Sequence, residues 1–381
     1  MNFRPWLAKF ARFDPAVLVL TLSLVAVGIV LIQSASIPSE RPLAEIQSRF
    51  FVYGCIGMVV VALVPYSRWI QLGPAAYIGL LLLLIGVATV GTTVNGSRRW
   101  LMLGFFQFQP SEPMKTGLIL MLAACFKRGD PLKRVRDWLP LLALALVPFF
   151  LVARQPDLGT ALMYVPIALA VLFVGGLPLR AIVAMAVTGA GIAWAAFRFL
   201  LHPYQRERVI STFFRENLAD YEQAREGFQL LQSLRAIEGG GVSGQGFRLG
   251  LVTQSGTMPH AYNDFIFATI AEEHGFVGAG LLLLGVLLLV LACYRVGFVC
   301  RDPAGRIICT GVGTLIAAQA LVNAGVAIGM VPTTGIALPF LSSGGSALVS
   351  MMMAVGLVLS VSVHQIIPLN RPSVERGRPS S

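Results

Sequence analysis

Phe276-Val-Gly-Ala-Gly-Leu-Leu-Leu-Leu-Gly-Val-Leu-Leu-Leu-Val-Leu-Ala-Cys293 is an unbroken run of eighteen residues without a charge. As a helix it is long enough to cross a hydrocarbon core of about 30 Å. Arg295 closes it on one side, and Glu272-Glu273-His274-Gly275 form a polar approach on the other. Working outward, comparable apolar runs fall at 15–34, 50–66, 74–92, 111–127, 138–154, 158–175, 178–200, 264–294, 307–331 and 338–367. The expected fold is therefore all-α: a polytopic integral membrane protein with about ten transmembrane helices. Composition agrees. Of 381 residues 56% are hydrophobic and 12% charged, with a mean hydropathy of +0.76, too little charge to coat a soluble domain. A single transmembrane domain is expected over 1–370, with a large outer loop at 201–263 between helices seven and eight. A Pro-, Arg- and Ser-rich cytoplasmic tail at 371–381 is expected to be disordered.

An even number of spans puts both termini on one side, and Lys and Arg decide which. Arg4, Lys9, Arg12, Arg68, Lys127, Arg128, Lys133, Arg134, Arg136, Arg180, Arg295, Arg301, Arg306, Arg371, Arg376 and Arg378 fall in one set of segments. The short loops of the other set hold only Arg41, Arg49, Arg98, Arg99 and Arg154. Both termini are thus expected in the cytoplasm, and loop 201–263 outside. The same asymmetry accounts for most of the net charge of +11, which faces anionic membrane lipid rather than nucleic acid. Arg4, Lys9 and Arg12 precede the first run without a clear small-residue cleavage pattern, so that run reads as a retained helix. Cys55, Cys125, Cys293, Cys300 and Cys309 show no metal-ligand spacing and read as small apolar residues.

A charge in lipid costs roughly 2.5–3.5 kcal/mol on insertion scales, so the few polar groups at span ends carry information. Asn95-Gly-Ser-Arg98-Arg99-Trp100 breaks the charge rule in a short outer loop. It reads either as snorkelling beside an interfacial Trp or as a diphosphate clamp, because guanidinium binds phosphate bidentately. In Gln109-Pro-Ser-Glu112-Pro-Met-Lys115, Glu112 suits a first helical turn. Lys115, three residues deeper on the same face, reads equally as an ion-pair partner or as part of a site. Asp157 in Arg154-Gln-Pro-Asp157-Leu-Gly-Thr160 reads first as a helix cap. Asp264 stands where the outer loop re-enters the membrane. It can cap, but partial desolvation also makes a carboxylate a stronger proton acceptor near neutral pH. Glu272 or Glu273 can hold a cation or order a helix start, while His274 alone reads as structural. The glycines of Glu238-Gly-Gly-Gly-Val-Ser-Gly-Gln-Gly-Phe-Arg-Leu-Gly250 allow tight turns, and a phosphate cradle is one reading of them. Pro and Gly are dense from Gly329 to Ser346, which predicts non-helical backbone framing a site.

Five segments, in this order and spacing, resemble the SEDS family (shape, elongation, division and sporulation), which includes FtsW and RodA. They are Asn95-Gly-Ser-Arg-Arg-Trp, Phe108-Gln-Pro-Ser-Glu, Gln155-Pro-Asp-Leu-Gly-Thr, Asn263-Asp-Phe-Ile-Phe-Ala with Glu272-Glu, and Pro339-Phe-Leu-Ser-Ser-Gly-Gly-Ser. The likeness covers nearly the whole chain. It implies a peptidoglycan glycosyltransferase of the bacterial inner membrane, with its site on the outer face. Such an enzyme moves sugar from lipid II, the lipid-linked disaccharide-pentapeptide, to a growing glycan strand with inversion, and undecaprenyl diphosphate leaves. By resemblance Asp264 is the general base, and Arg98, Arg99 and Lys115 hold the diphosphate. Glu112 and Asp157 would orient these groups, with Ser342 and Ser346 also at the substrate. The resemblance further implies a class B penicillin-binding protein as partner. A divalent cation, Mg or Mn, is compatible with the diphosphate, although no ligand cluster in the sequence demands one. Tyr262-Asn263 stand where the family commonly has His-Thr, Ser343 stands for a usual Tyr, and His274 replaces an aliphatic residue. Gln319-Ala-Leu-Val-Asn323 with Gln229-Leu-Leu-Gln-Ser233 leans toward the division branch. Two other readings remain: a lipid II flippase, and a non-catalytic scaffold for the penicillin-binding protein.

Overall fold

The computed structural model describes residues 12–39, 42–94, 97–103, 106–129, 137–155, 157–199, 225–258 and 261–365. The tail at 371–381 and the first part of the outer loop, 201–224, lie outside the described residues. Helices follow the apolar runs closely: α1 (Pro15–Ala35), α2 (Leu43–Leu63), α3 (Tyr66–Val90), α4 (Ser111–Lys127), α5 (Trp138–Ala153), α6 (Leu158–Leu162), α7 (Tyr164–Val174) and α8 (Leu179–Phe199). They continue as α9 (Arg225–Gly240), α10 (Leu251–Gln254), α11 (Ile266–Val299), α12 (Pro303–Ala327) and α13 (Gly345–His364). Among the described residues six are long and apolar enough to cross a membrane, namely α1, α2, α3, α11, α12 and α13, and α5, α6 with α7, and α8 are shorter apolar helices. The sequence shows no β-structure, yet a small antiparallel sheet joins α3 to α4. Its strands, β1 (Thr92–Val94), β2 (Ser97–Leu103) and β3 (Phe106–Phe108), lie in that order.

Burial is arranged as a bilayer requires. Phe298, Phe276, Leu281 and Val187 are exposed, because the surrounding lipid is as apolar as the interior. Helices α12 and α13 form the centre, and both are mostly buried. Helix α12 packs on α4, α7 and α11, and α13 packs along α2. Without a hydrophobic drive between helices, close backbone approach supplies the contact. Gly356 shows this, since a Cβ there would stand 2.6 Å from the Met58 carbonyl oxygen of α2. At one end of the bundle Asp14 caps α1 and forms an ion pair with Arg295 of α11, while its N–H meets the Ser362 hydroxyl of α13.

Helix α11 has 34 residues, about 51 Å at 1.5 Å per residue, too long for one crossing. It breaks at Gly275, whose φ of 67° and ψ of −170° are not helical. The first part, Ile266–Glu273, is buried along its whole length. The glycine-rich segment after α9 wraps this break. The N–H groups of Gln245 and Gly246 donate to the carbonyls of Glu272 and Glu273, and those of Phe276 and Val277 donate to Gly241 and Val242. These glycines therefore permit close contact with α11, and the amides of Gly244, Gln245 and Gly246 are already engaged rather than left to cradle a phosphate. A Cβ on Gly244 would overlap the Glu273 carbonyl, and its φ of +84° disfavours any side chain. Gly244→Val should therefore lower amide-exchange protection across 241–250 by about 1–3 kcal/mol. Unchanged protection would show that the wrap is not held at this glycine.

Candidate functional site

Asp264 stands in the turn before α11 and is half-buried. Its surroundings come from chain segments far apart in sequence. The stretch from Ile328 to Gly344 has no regular secondary structure, as the density of Pro and Gly predicts, and it runs past Asp264. Gly335, at φ +69°, faces the carboxylate, and a Cβ built on it would lie 3.8 Å from Asp264 Oδ2.

One buried carboxamide clips these parts together. Asn323 Nδ2 on α12 donates to the Asp264 carbonyl at 2.9 Å and to the Ile336 carbonyl at 2.8 Å. Ser342 adds a second clip. Its hydroxyl donates to the Asn263 carbonyl at 2.6 Å and accepts from Leu338 N–H at 2.8 Å, while Ser343 N–H donates to the Tyr262 carbonyl. The Ser342 hydroxyl thus spends its proton on backbone, so its geometry is that of a positioning group. Gln47 of α2 closes the turn from the other side, donating to the Ser342 carbonyl and accepting from Gly344 N–H.

A second network carries the cations. Asp157 is 4% exposed and caps α6 through Thr160 N–H, as its position predicts. Its other oxygen accepts from Gln109 Nε2 at 3.2 Å, and Arg99 Nη1 stands 3.6 Å from Oδ1. Arg99 Nε also donates to the Gln155 carbonyl. Gln109 N–H donates to the buried Ser346 hydroxyl at the start of α13, so Ser346 joins this network rather than that of Ser342. Arg98 and Arg99 are consecutive on β2, and consecutive strand residues point to opposite faces. The adjacent pair expected to act as one clamp is therefore divided: Arg98 is exposed, and Arg99 turns toward Asp157.

Glu112 and Lys115 lie at the start of α4. Lys115 Nζ donates to Glu112 Oε1 at 2.8 Å, and the lysine is only 1% exposed. Of the readings open for Lys115, the structure contains the ion pair. The ammonium is sealed from solvent in this conformation and does not reach an open surface. The two networks meet where α6 packs on the irregular segment, since a Cβ on Gly159 would overlap the backbone of Thr334, next to Gly335.

Glu272 and Glu273 lie on the buried part of α11. Glu272 accepts from the N–H groups of Val252 and Thr253 and from the Thr253 hydroxyl, so it caps α10 rather than its own helix. Glu273 accepts from the hydroxyl of Ser34 on α1. Both acids thus tie the outer loop to the bundle. Among the described residues no three His, Cys, Asp or Glu side chains come together as metal ligands, and the cysteines are free thiols. Sequence reasoning missed Asn323 as a site residue, reading the segment Gln319–Asn323 only as a mark of the division branch.

The family model described as cell cycle protein, covering FtsW, RodA and SpoVE, matches residues 15–366. The peptidoglycan glycosyltransferase MrdB of Escherichia coli is 34% identical over 361 residues, covering 93% of this chain and 94% of that one. A probable peptidoglycan glycosyltransferase FtsW of Geobacter metallireducens is 32% identical, covering 96% of this chain and 98% of its own. Similarity is thus spread over relatives of both names. Among solved structures, a chain described under structural coordination of polymerization and crosslinking by a peptidoglycan synthase complex matches with a TM-score of 0.80 at 32% identity. It covers 92% of this chain and 97% of that one. The rod shape determining protein RodA of Thermus thermophilus matches with a TM-score of 0.69 at 31% identity, over 92% of this chain and 96% of its own.

Proposed function

The chain belongs to the cell cycle protein family of FtsW, RodA and SpoVE, and on that premise we propose that it builds glycan strands from lipid II at the Asp264 site. It is a multi-pass membrane protein and a peptidoglycan glycosyltransferase. The observation that carries the site assignment is the pair of clips, Asn323 and Ser342, that fix the backbone of Asp264 against the irregular segment. A carboxylate so held lies beside a glycine rather than a side chain, which supports the approach of a sugar hydroxyl to it. The charge asymmetry of the chain supports placing this end of the bundle on the outer face of the bacterial inner membrane.

In this reading Asp264 takes the proton from the 4-hydroxyl of the acceptor GlcNAc. That oxygen attacks the anomeric carbon of the donor, the bond to the diphosphate oxygen breaks, and the anomeric centre inverts. Undecaprenyl diphosphate leaves with the bonding electron pair, and its developing charge needs preorganised cations. Arg98 is exposed, and the Arg99 side chain keeps 27% exposure while resting on Asp157. In this reading Arg99, fixed by Asp157 and Gln109, meets the diphosphate on its face of β2, while Arg98 on the opposite face adds positive charge at longer range. Lys115 acts from behind, as the cation of a buried pair under the same loop. A class B penicillin-binding protein is the partner expected to cross-link the product.

The test is purified chain, with and without that partner, supplied with lipid II. Glycan strands that a muramidase digests are expected. Labelled lipid II crossing vesicles without polymer would replace the assignment by a flippase, and partner recruitment with neither activity would replace it by a scaffold. Asn323→Leu leaves two buried carbonyls without their donor, at about 1–3 kcal/mol each, and lets Asp264 drift. A drift near 1 Å should lower kcat about a hundredfold, with KM changed by only a few-fold. A raised KM at normal kcat would instead place Asn323 on the substrate.

A further inference from the structure

We propose that the cleft between the start of α3 and the end of α4 binds the phosphate headgroup of an anionic glycerophospholipid. The cleft has a volume of about 190 Å³ and is lined by Ile70, Gln71 and Pro74 of α3 and by Ala124, Lys127 and Arg128 at the end of α4. Sites that enclose a drug-sized ligand run to about 300–1,000 Å³, so this one takes a small group. It lies at the end of the bundle that the Lys and Arg asymmetry assigns to the cytoplasm. Along α4 the rise from Lys115 to Lys127 is about 18 Å, which sets the cleft apart from the networks around Asp264. The proposal therefore does not rest on the glycosyltransferase reading.

The sequence makes the cleft. Gly73 brings α3 onto α4, since a Cβ there would stand 2.9 Å from the Leu120 carbonyl oxygen. One turn further along α4 stands Ala124, too short to fill the space opposite Ile70 and Pro74. Lys127 and Arg128 follow Ala124 at three and four residues, on the same helical face, and helical side chains lean back toward the N-terminus. Both cations thus stand over the small residue. With Gln71 they offer charged and neutral donors to phosphate oxygens, and among the described residues no acid lines the cleft. The topology rule and the α4 dipole account for a basic pair at this end, but not for its setting around a cavity. Arg295, at the same end, is already engaged by Asp14, whereas among the described residues neither Lys127 nor Arg128 forms an ion pair.

The surface that continues out of the cleft points to a lipid as the source of the phosphate. Gln71, Ala75, Ile78, Leu82 and Ile85 follow one another at spacings of four and three, as one stripe of α3, and all five are exposed. Exposed Ile and Leu on a spanning helix face acyl chains. A chain lying on this stripe brings its own headgroup to Gln71, in the wall of the cleft. Trp69, which adjoins Ile70, fits the headgroup level at which tryptophan collects. A free anion would use the two cations and none of the stripe.

The test is native mass spectrometry of the purified full chain in uncharged detergent, titrated with phosphatidylglycerol or with phosphatidylcholine of the same acyl chains. Wild type should hold its first phosphatidylglycerol about tenfold more tightly than phosphatidylcholine. Lys127→Gln with Arg128→Gln should bring that ratio to about one. Ala124→Leu keeps both cations but fills the cleft, and it should lower the ratio as far. Arg301→Gln removes an exposed cation from the same end, outside the cleft, and should leave the ratio as in wild type. If Ala124→Leu fails to fold, the comparison of the two charge variants decides alone. A wild-type ratio of one, a ratio unchanged by the double substitution, or an equal fall with Arg301→Gln overturns the proposal. Inorganic phosphate that displaces the lipid at equal concentration would overturn it in favour of a free-anion site.

Discussion

Asp264→Asn should abolish polymer formation, with a rate loss of about 10²–10⁴ and a thermal melt close to wild type. The range is that of losing a general base from the transition state. Stability should survive because the groups that fix this turn are backbone. Asn323 bonds the Asp264 carbonyl, and Ser342 bonds the Asn263 carbonyl. Neither clip uses the Asp264 side chain, so the amide replaces the carboxylate without releasing them. Affinity for lipid II should fall little, since the cations proposed for the diphosphate lie on β2 and not on this turn. A variant that polymerises at the wild-type rate would remove Asp264 from the chemistry. One that unfolds would show that the carboxylate is structural.

The largest stability effect is expected at Lys115→Met. The lysine is 1% exposed and Glu112 is 8% exposed, so the substitution leaves a carboxylate buried without its cation. Breaking a buried pair in this way costs about 3–5 kcal/mol. Replacing both residues, with Glu112→Leu added, should recover most of the loss, because an apolar pair of similar volume removes the stranded charge. Denaturation of the two variants side by side checks this. A single variant as stable as wild type would mean that Glu112 is not held as a charged partner. Recovered stability without recovered polymerisation would further assign the pair an electrostatic part in the reaction.

The helices were legible because apolar runs of spanning length need no tertiary information. Their starts were less so. Helix α2 begins at Leu43 rather than near 50, and the polar residues Glu45, Gln47 and Arg49 disguise its first turn. Gln47 is buried there because it satisfies the Ser342–Gly344 turn, a partner 295 residues away. The last helix, by contrast, starts at Gly345 within the run from 338, as the dense Pro and Gly before it predict. The sheet was invisible: its outer strands are three residues long, and alternation cannot stand out against an apolar background.

The acids and cations of the candidate site stood out in the sequence because charge is costly beside a membrane. Their division of labour was not legible. The strand that separates Arg98 from Arg99 and the burial of Lys115 both depend on contacts made across the bundle. Asn323 went unassigned because a carboxamide in an apolar helix carries no chemistry until Asp264, 59 residues away, is brought beside it.

The central claim, sugar transfer with departure of the lipid diphosphate, is tested most directly by one stoichiometry. Purified wild-type chain and its partner are given lipid II, and undecaprenyl diphosphate release is counted against disaccharide incorporated into glycan. One released per disaccharide joined is the predicted result, with neither product formed by Asp264→Asn. Lipid II carried across the bilayer intact, with no diphosphate released, would contradict it.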